Sequence, residues 1–254
     1  GGIPPLMAHP DDIYRRTYDR VKRKNGEFFN IFPNAQDRAC RIADSIQKTN
    51  PTLPNGDKLS IERFQLLGLQ FGFHDGYANL NYLFEHAISN GELSYSFLKG
   101  LLGLQSFDTN PFFTVLHEAC YAQQFSTNWS AARIRDEFPE FDPNARHPFL
   151  FTGEMLYPWM MDQFQALVPL KDAAQLLAEK NDWPLLYDPT ALSNNSVPVV
   201  AAVYTNDMYV DRDFSLDSAE SIKGIRLWKT DEFEHNGLRS HGEKVLAKLF
   251  ELLD

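Results

Sequence analysis

Cysteine is scarce in this sequence: Cys40 and Cys120 are its only two cysteines among 254 residues. Two cysteines so far apart form neither a disulfide framework nor a cysteine-based metal site, so we expect a reducing compartment, the cytoplasm. Long apolar runs are lacking too, since none approaches the roughly 20 residues that a membrane-spanning helix needs. The first residues contain neither the basic nor the apolar region of a secretory signal. We therefore expect no membrane partner.

Basic residues are outnumbered, with 24 lysines and arginines against 34 acidic residues and a formal net charge of −10. Such a charge repels phosphate backbones and attracts cations and free amines, so nucleic acid is not an expected partner. A zinc-binding helix is also absent. His117 and Glu118 begin like a His-Glu-x-x-His motif, but the position of its second histidine is Tyr121. The sequence thus predicts neither a metal nor another cofactor.

The apolar content is high enough for a folded core, because 43% of the residues are hydrophobic and 13% are aromatic. From about residue 11 to 138 the apolar positions recur every three or four residues, which predicts several helices. After Pro148 the pattern alternates between helices at 171–181, 214–222 and 238–253 and strands at 197–204 and 225–229. This alternation is typical of a parallel α/β sheet, in which the strand at 197–204 would be covered on both faces.

Two polar residues stand at the predicted carboxyl ends of these strands. Asp207 follows the first strand and His235 follows the second. Ser, then Asp, then His is the chain order of an α/β-hydrolase triad, so the pair predicts its two non-nucleophilic members. Asp207 would orient the imidazole, and His235 would act as general base and acid. The alternative is a surface loop in which Asp207 caps the next helix and His235 is an ordinary exposed histidine.

Five segments resemble the proline iminopeptidases (prolyl aminopeptidases), serine peptidases of the α/β-hydrolase fold with a helical cap. They are GGIPPL at 1–6, LHEACYA at 116–122, FTGEMLYPW at 151–159, AVYTND at 202–207 and EHNGL at 234–238. The resemblance implies the α/β class, with the C-terminal half of an α/β-hydrolase core and a large helical cap. It divides the chain into the end of an N-terminal core segment at 1–8, the cap at 9–147 and the C-terminal part of the core at 148–254.

One departure from the family is the nucleophile. The family's serine lies in a Gly-x-Ser-x-Gly elbow, and an earlier glycine-rich turn supplies the oxyanion hole, but neither motif occurs here. The sequence also begins with Gly1 rather than Met. We therefore expect the serine to lie in an N-terminal segment of the same protein, and this segment would be a partner of the chain.

The resemblance also implies a site for the substrate amine. Glu154 and Glu118 are expected to bind the ammonium group, because a cation leaves water only where carboxylates meet it. Phe151, Tyr157 and Trp159 are expected to line an apolar pocket for the prolyl ring. The alternatives are a helix-surface role for Glu118 and a core role for the three aromatic residues.

The function implied is a serine exopeptidase that releases N-terminal proline from peptides by acyl transfer. Two alternatives stay open. One is another α/β-hydrolase acting on esters, amides or epoxides. A cap without acidic residues would support this alternative. The other is a non-catalytic binding module that lacks the nucleophile elbow.

Overall fold

The computed structural model describes residues 2–105, 107–146 and 148–253. Most of the described chain is helical. Its α-helices are α1 Pro10–Ile31, α2 Asn34–Thr49, α3 Ile61–Gln65, α4 Gly76–Glu85, α5 Tyr95–Gly103, α6 Pro111–Leu116, α7 Ser130–Arg135, α8 Met160–Gln163, α9 Lys171–Glu179, α10 Pro189–Ser193, α11 Arg212–Glu220, α12 Gly237–Ser240 and α13 Gly242–Leu253. Short 3-10 helices occupy Leu66–Gly72, Glu118–Tyr121, Pro139–Phe141 and Val168–Leu170. The strands are β1 Ile88–Ser89, β2 Glu92–Leu93, β3 Val199–Tyr204 and β4 Ile225–Thr230.

Helix α1 is the longest element and forms one wall of the core. It begins with Pro10 in its first turn, followed by Asp11 and Asp12, whose charges are favourable beside the helix N-terminus. Its buried residues recur at helical spacing, so one face of the helix packs inward. That face contains Tyr14, Tyr18, Val21, Lys24, Asn25 and Phe28. A lysine on this face is unusual, because charged side chains are seldom fully buried without a partner.

The main core lies in the helical part and is rich in aromatic rings. Phe151 is at its centre and packs against the rings of Phe28, Phe29, Phe64, Phe71, Phe84 and Phe149. The same core takes in Met160, Leu167 and Ala174. Packing is therefore continuous between the part predicted as the cap and the part predicted as the hydrolase core, and the domain limits stay a prediction.

The small C-terminal sheet has the predicted parallel topology. Strand β3 pairs with β4 in a register that runs from Val199 opposite Ile225 to Tyr204 opposite Thr230, and α11 forms the crossover. The predicted helix at 238–253 is observed as two helices, α12 and α13, which meet at His241. Strand β3 is buried only over its last three residues, so the predicted covering of both faces holds only at the end that leads to Asp207.

The first described residues lie beside β3 and across α11. The backbone N–H of Gly2 donates to the carbonyl of Ala202, with 2.7 Å between nitrogen and oxygen. The hydroxyl of Ser215 accepts from the Ile3 N–H at 3.2 Å and donates to its carbonyl at 2.9 Å. Within the described residues β3 has β4 as its one paired strand, and its other edge meets Gly2. None of the helices in the described ranges is long and apolar enough to span a lipid bilayer.

Candidate active site

Asp207 lies in the turn that follows β3, and its orientation is fixed by the turn itself. One carboxylate oxygen, Oδ1, accepts the backbone N–H groups of Tyr209 at 2.8 Å and Val210 at 3.0 Å. The residue is 1% exposed. A buried carboxylate held by two backbone donors cannot rotate freely, so its second oxygen points in a defined direction.

His235 lies after β4 and meets that second oxygen. Its Nδ1 is 2.9 Å from Oδ2 of Asp207. Its backbone N–H donates to the carbonyl of Gly72 at 3.1 Å, and its ring centroid lies 4.6 Å from that of Tyr209. The imidazole side chain is 36% exposed. The structure thus brings the two strand-end residues together, with the histidine ring partly open to solvent.

The surroundings of His235 favour its protonated form. Burial opposes the charge and is the largest single influence, but the hydrogen bond and charge of Asp207, together with the charge of Glu154, outweigh it. The pKa of His235 is therefore raised above its usual value of 6.5. An imidazole of this kind can accept a proton and hold it while Asp207 balances the charge.

Glu154 faces the same region from the helical part. Phe151, three residues before it, is hydrogen-bonded to α1. The Asn25 side chain accepts the Phe151 N–H at 2.8 Å and donates to the Phe151 carbonyl at 2.9 Å. The Glu154 Oε2 lies 4.0 Å from Nε2 of His117. After burial, the Glu154 charge is the next largest cause of the raised pKa values of Tyr121 and Tyr209. Glu154 is thus a half-buried carboxylate whose charge acts on both His235 and Tyr209.

Glu118 caps the N-terminus of α7. Its two oxygens accept the backbone N–H groups of Ser130 and Ala131, each at 2.9 Å. Burial raises the pKa of its carboxyl, and these N–H groups oppose that rise. Both oxygens are therefore already engaged as a cap of the helix N-terminus. A role of Glu118 in amine binding stays a prediction.

The three predicted pocket aromatics lie at different depths. Phe151 is fully buried among the rings of the core, as described above. Tyr157 is buried too: its hydroxyl lies 2.9 Å from that of Tyr18, and its ring stacks on Trp159 at 5.7 Å between centroids. Trp159 is half-buried, and its indole N–H has no hydrogen-bond partner among the described residues. Their contacts are those of core residues, and their lining of a substrate pocket stays a prediction.

Sequence reasoning missed a buried ion pair beside His235. The Lys24 Nζ lies 2.6 Å from Oε1 of Glu234, and the Lys24 side chain is only 3% exposed. The signal that could have found it is the lysine on the apolar stripe of α1, three residues after Val21 and four before Phe28. Tyr209 was missed as well, although it directly follows the Asp207 turn and contacts the His235 ring.

In the described ranges, no group of three or more histidine, cysteine, aspartate or glutamate residues is arranged to hold a metal ion.

No protein-family model matches the chain. Two curated relatives do. A protein of Aeromonas sobria named proline iminopeptidase is 45% identical over 99% of this chain and 59% of its own length. A protein of Aspergillus aculeatus named proline iminopeptidase aneH is 28% identical over 99% of this chain and 57% of its own length.

These matches confirm the resemblance to the proline iminopeptidase family over nearly the whole chain. The chain spans less than two thirds of the length of both relatives.

Proposed function

We propose that this chain, which is similar over 99% of its length to a protein named proline iminopeptidase, is the Asp- and His-bearing part of a serine aminopeptidase that releases N-terminal proline. The observation that carries the proposal is the hydrogen bond of 2.9 Å between Asp207 and His235. It joins two residues that stand 28 positions apart at the carboxyl ends of neighbouring parallel strands. Function in open α/β sheets gathers at this edge.

The chemistry would be acyl transfer to a serine. His235 would accept the serine proton as the hydroxyl attacks the carbonyl of the prolyl residue, while Asp207 balances the imidazolium charge. Backbone N–H groups would stabilise the oxyanion. His235 would then give the proton to the leaving amine. In the second half it would take a proton from the water that attacks the acyl-enzyme, and it would return that proton to the serine oxygen as proline is released.

The serine would come from an N-terminal segment of the same protein. The sequence of this chain contains no Gly-x-Ser-x-Gly elbow, and the relatives extend well beyond the region that it matches. In this proposal residues 1–8 end that N-terminal segment, 9–147 form the cap, and 148–254 complete an α/β-hydrolase core. The edge of β3 that faces Gly2 is where a further strand of the sheet would pair.

The substrate ammonium would be bound by Glu154. This carboxylate is half-buried and close enough to His235 for its charge to raise the histidine pKa. An acidic group whose charge acts on the general base favours an amine substrate over the neutral esters and epoxides of other α/β-hydrolases. We place the protein in the cytoplasm because its two cysteines are free and lie far apart in the sequence, as is usual in a reducing compartment.

The test is replacement of His235 by Ala in the full-length protein. Loss of the sole general base should lower the turnover of a prolyl amide by about 10⁴-fold. His86 is exposed, and its backbone carbonyl accepts the hydroxyl of Ser94, so His86→Ala leaves that contact in place and is a matched control that should keep full turnover. Turnover that survives in His235→Ala would assign the base to another residue and overturn the proposal.

A further inference from the structure

Lys24 is a buried cation whose partner is the residue next to His235. Its Nζ lies 2.6 Å from Oε1 of Glu234 and 3.8 Å from Oε2 of Glu27, with side-chain exposures of 3%, 25% and 52%. It also lies 5.8 Å from the centroid of the Tyr77 ring. Burying an ammonium group is costly, and such ion pairs often stabilise a fold less than apolar residues of the same volume would. Stability alone therefore does not account for this buried ion pair.

The loop that contains His235 forms hydrogen bonds with the helical part at three consecutive residues. Glu234 binds Lys24 of α1, the His235 N–H donates to the Gly72 carbonyl at 3.1 Å, and the Asn236 Oδ1 accepts the His74 N–H at 2.9 Å. Of these three links, the contact with Lys24 is the one between charged side chains. The position of His235 is thus set by the helices as well as by its own strand.

Helix α1 holds both sides of the site through neighbouring residues. Lys24 binds the loop of His235, and Asn25 binds both backbone groups of Phe151, three residues before Glu154. A shift of this one helix turn would therefore move the general base and the amine-binding carboxylate together. A displacement of about 1 Å in such a constellation lowers a rate by on the order of 100-fold.

We propose that Lys24 and Glu234 are positioning residues, which hold the His235 loop against α1 so that the imidazole meets Asp207. The inference rests on the proposed function, since it assigns these residues to the same catalytic pair. Burial raises the pKa of the Glu234 carboxyl, and the charge and hydrogen bond of Lys24 oppose that rise. Burial outweighs Lys24, so the pKa of Glu234 stays raised, and it is the 2.6 Å contact with Lys24 that holds the side chain in place.

The experiment compares Lys24→Met, Glu234→Met and the double variant in the full-length protein. Met keeps much of the length and apolar volume of either side chain, so the double variant exchanges an ion pair for an apolar contact. The matched control is Lys244→Met, because Lys244 pairs with Glu232 of the same loop but is 60% exposed. The readouts are the nuclear magnetic resonance signal of the His235 Nδ1 proton, kcat and KM for a prolyl amide, and the thermal midpoint.

For positioning residues, both single variants should lose kcat by about 10- to 100-fold with KM changed by less than about threefold. The double variant should regain the thermal midpoint but neither the kcat nor the Nδ1 signal. Lys24→Arg, which retains the charge, should show a kcat and an Nδ1 signal between those of Lys24→Met and the parent. Lys244→Met should match the parent. A double variant that recovers stability and kcat together would show that the pair only stabilises the fold, and so would a Lys24→Met enzyme with parental kcat.

Failure of the proposed function has a different signature. If His235→Ala leaves turnover intact, His235 is not the base, whereas its Nδ1 signal still reports whether Lys24 fixes the contact with Asp207. A signal that is the same in the parent and in all Lys24 and Glu234 variants would overturn the positioning role on its own.

Discussion

At the scale of single residues, the charge around His235 decides how the site responds to pH. Asp207 and Glu154 are the two anions that raise its pKa, and burial is the force that they overcome. A general base works only in its neutral form, so the raised pKa moves the acidic limb of the activity profile to a pH above 6.5, the usual value for histidine.

Asp207→Asn removes the larger of these two anionic influences. The expected result is a loss of kcat on the order of 10⁴-fold, because the imidazole loses its orientation and the balance of its charge. The residual activity should show its acidic limb at lower pH than the parent, since a weaker anionic field lowers the His235 pKa. The measurement is kcat/KM against pH. Asp231 is an exposed residue of the same loop, so Asp231→Asn is the control; a limb that stays in place in Asp207→Asn would contradict the assignment.

Glu154→Gln tests amine recognition while keeping the shape of the side chain. Loss of one charge-assisted contact in a partly dry pocket should cost about 1.5–3 kcal/mol, or about 10- to 150-fold in kcat/KM. A substrate with its proline nitrogen acylated offers no cation, so it should react slowly and be nearly indifferent to the change. The comparison uses both substrates on the parent, Glu154→Gln and Glu118→Gln. An equal loss for the free and the blocked amine would make the carboxylate structural.

At the scale of elements, close backbone approach fixes the site. Gly72 ends a 3-10 helix, and its carbonyl accepts the His235 N–H. A Cβ built on Gly72 would lie 2.0 Å from Cε2 of Tyr209 and 2.8 Å from Cγ of Met208. The glycine therefore allows the helix end, the Tyr209 ring and the His235 loop to meet.

Gly72→Ala should thus both destabilise the fold and impair the site. Overpacking of this kind costs about 1–3 kcal/mol, and displacement of Tyr209 would push its ring toward the imidazole. Gly26 of α1 is the matched control: a Cβ there meets nothing within 4 Å, so Gly26→Ala should stabilise the protein by roughly 0.5–1 kcal/mol. Free energies of unfolding in urea and kcat for each variant decide the matter. If the two variants unfold alike, the close contact at Gly72 has no energetic weight.

At the scale of the whole molecule, the sequence predicted what depends on local pattern. The alternation after residue 148 predicted β3, α11 and β4, because apolar runs and turn residues are visible in a single segment. Strand ends also predicted that Asp207 and His235 would meet. The burial of Lys24 could be predicted from its place on the apolar stripe of α1, but its partner could not, since Glu234 is 210 positions away and no local pattern pairs the two. The depth of Phe151 likewise depends on rings from distant helices such as Phe28 and Phe84.

The polypeptide of residues 1–254 by itself tests where the nucleophile lies. It contains Asp207 and His235 but no Gly-x-Ser-x-Gly elbow, so in our proposal it holds two of three triad members. A base without a nucleophile cannot form the acyl-enzyme, because the covalent bond needs the serine oxygen. This polypeptide, shown by intact mass to be free of any partner, should therefore not turn over a prolyl amide, while the full-length protein should. Turnover by the isolated polypeptide that disappears in its own His235→Ala variant would place the nucleophile within these residues and refute the need for a separate segment.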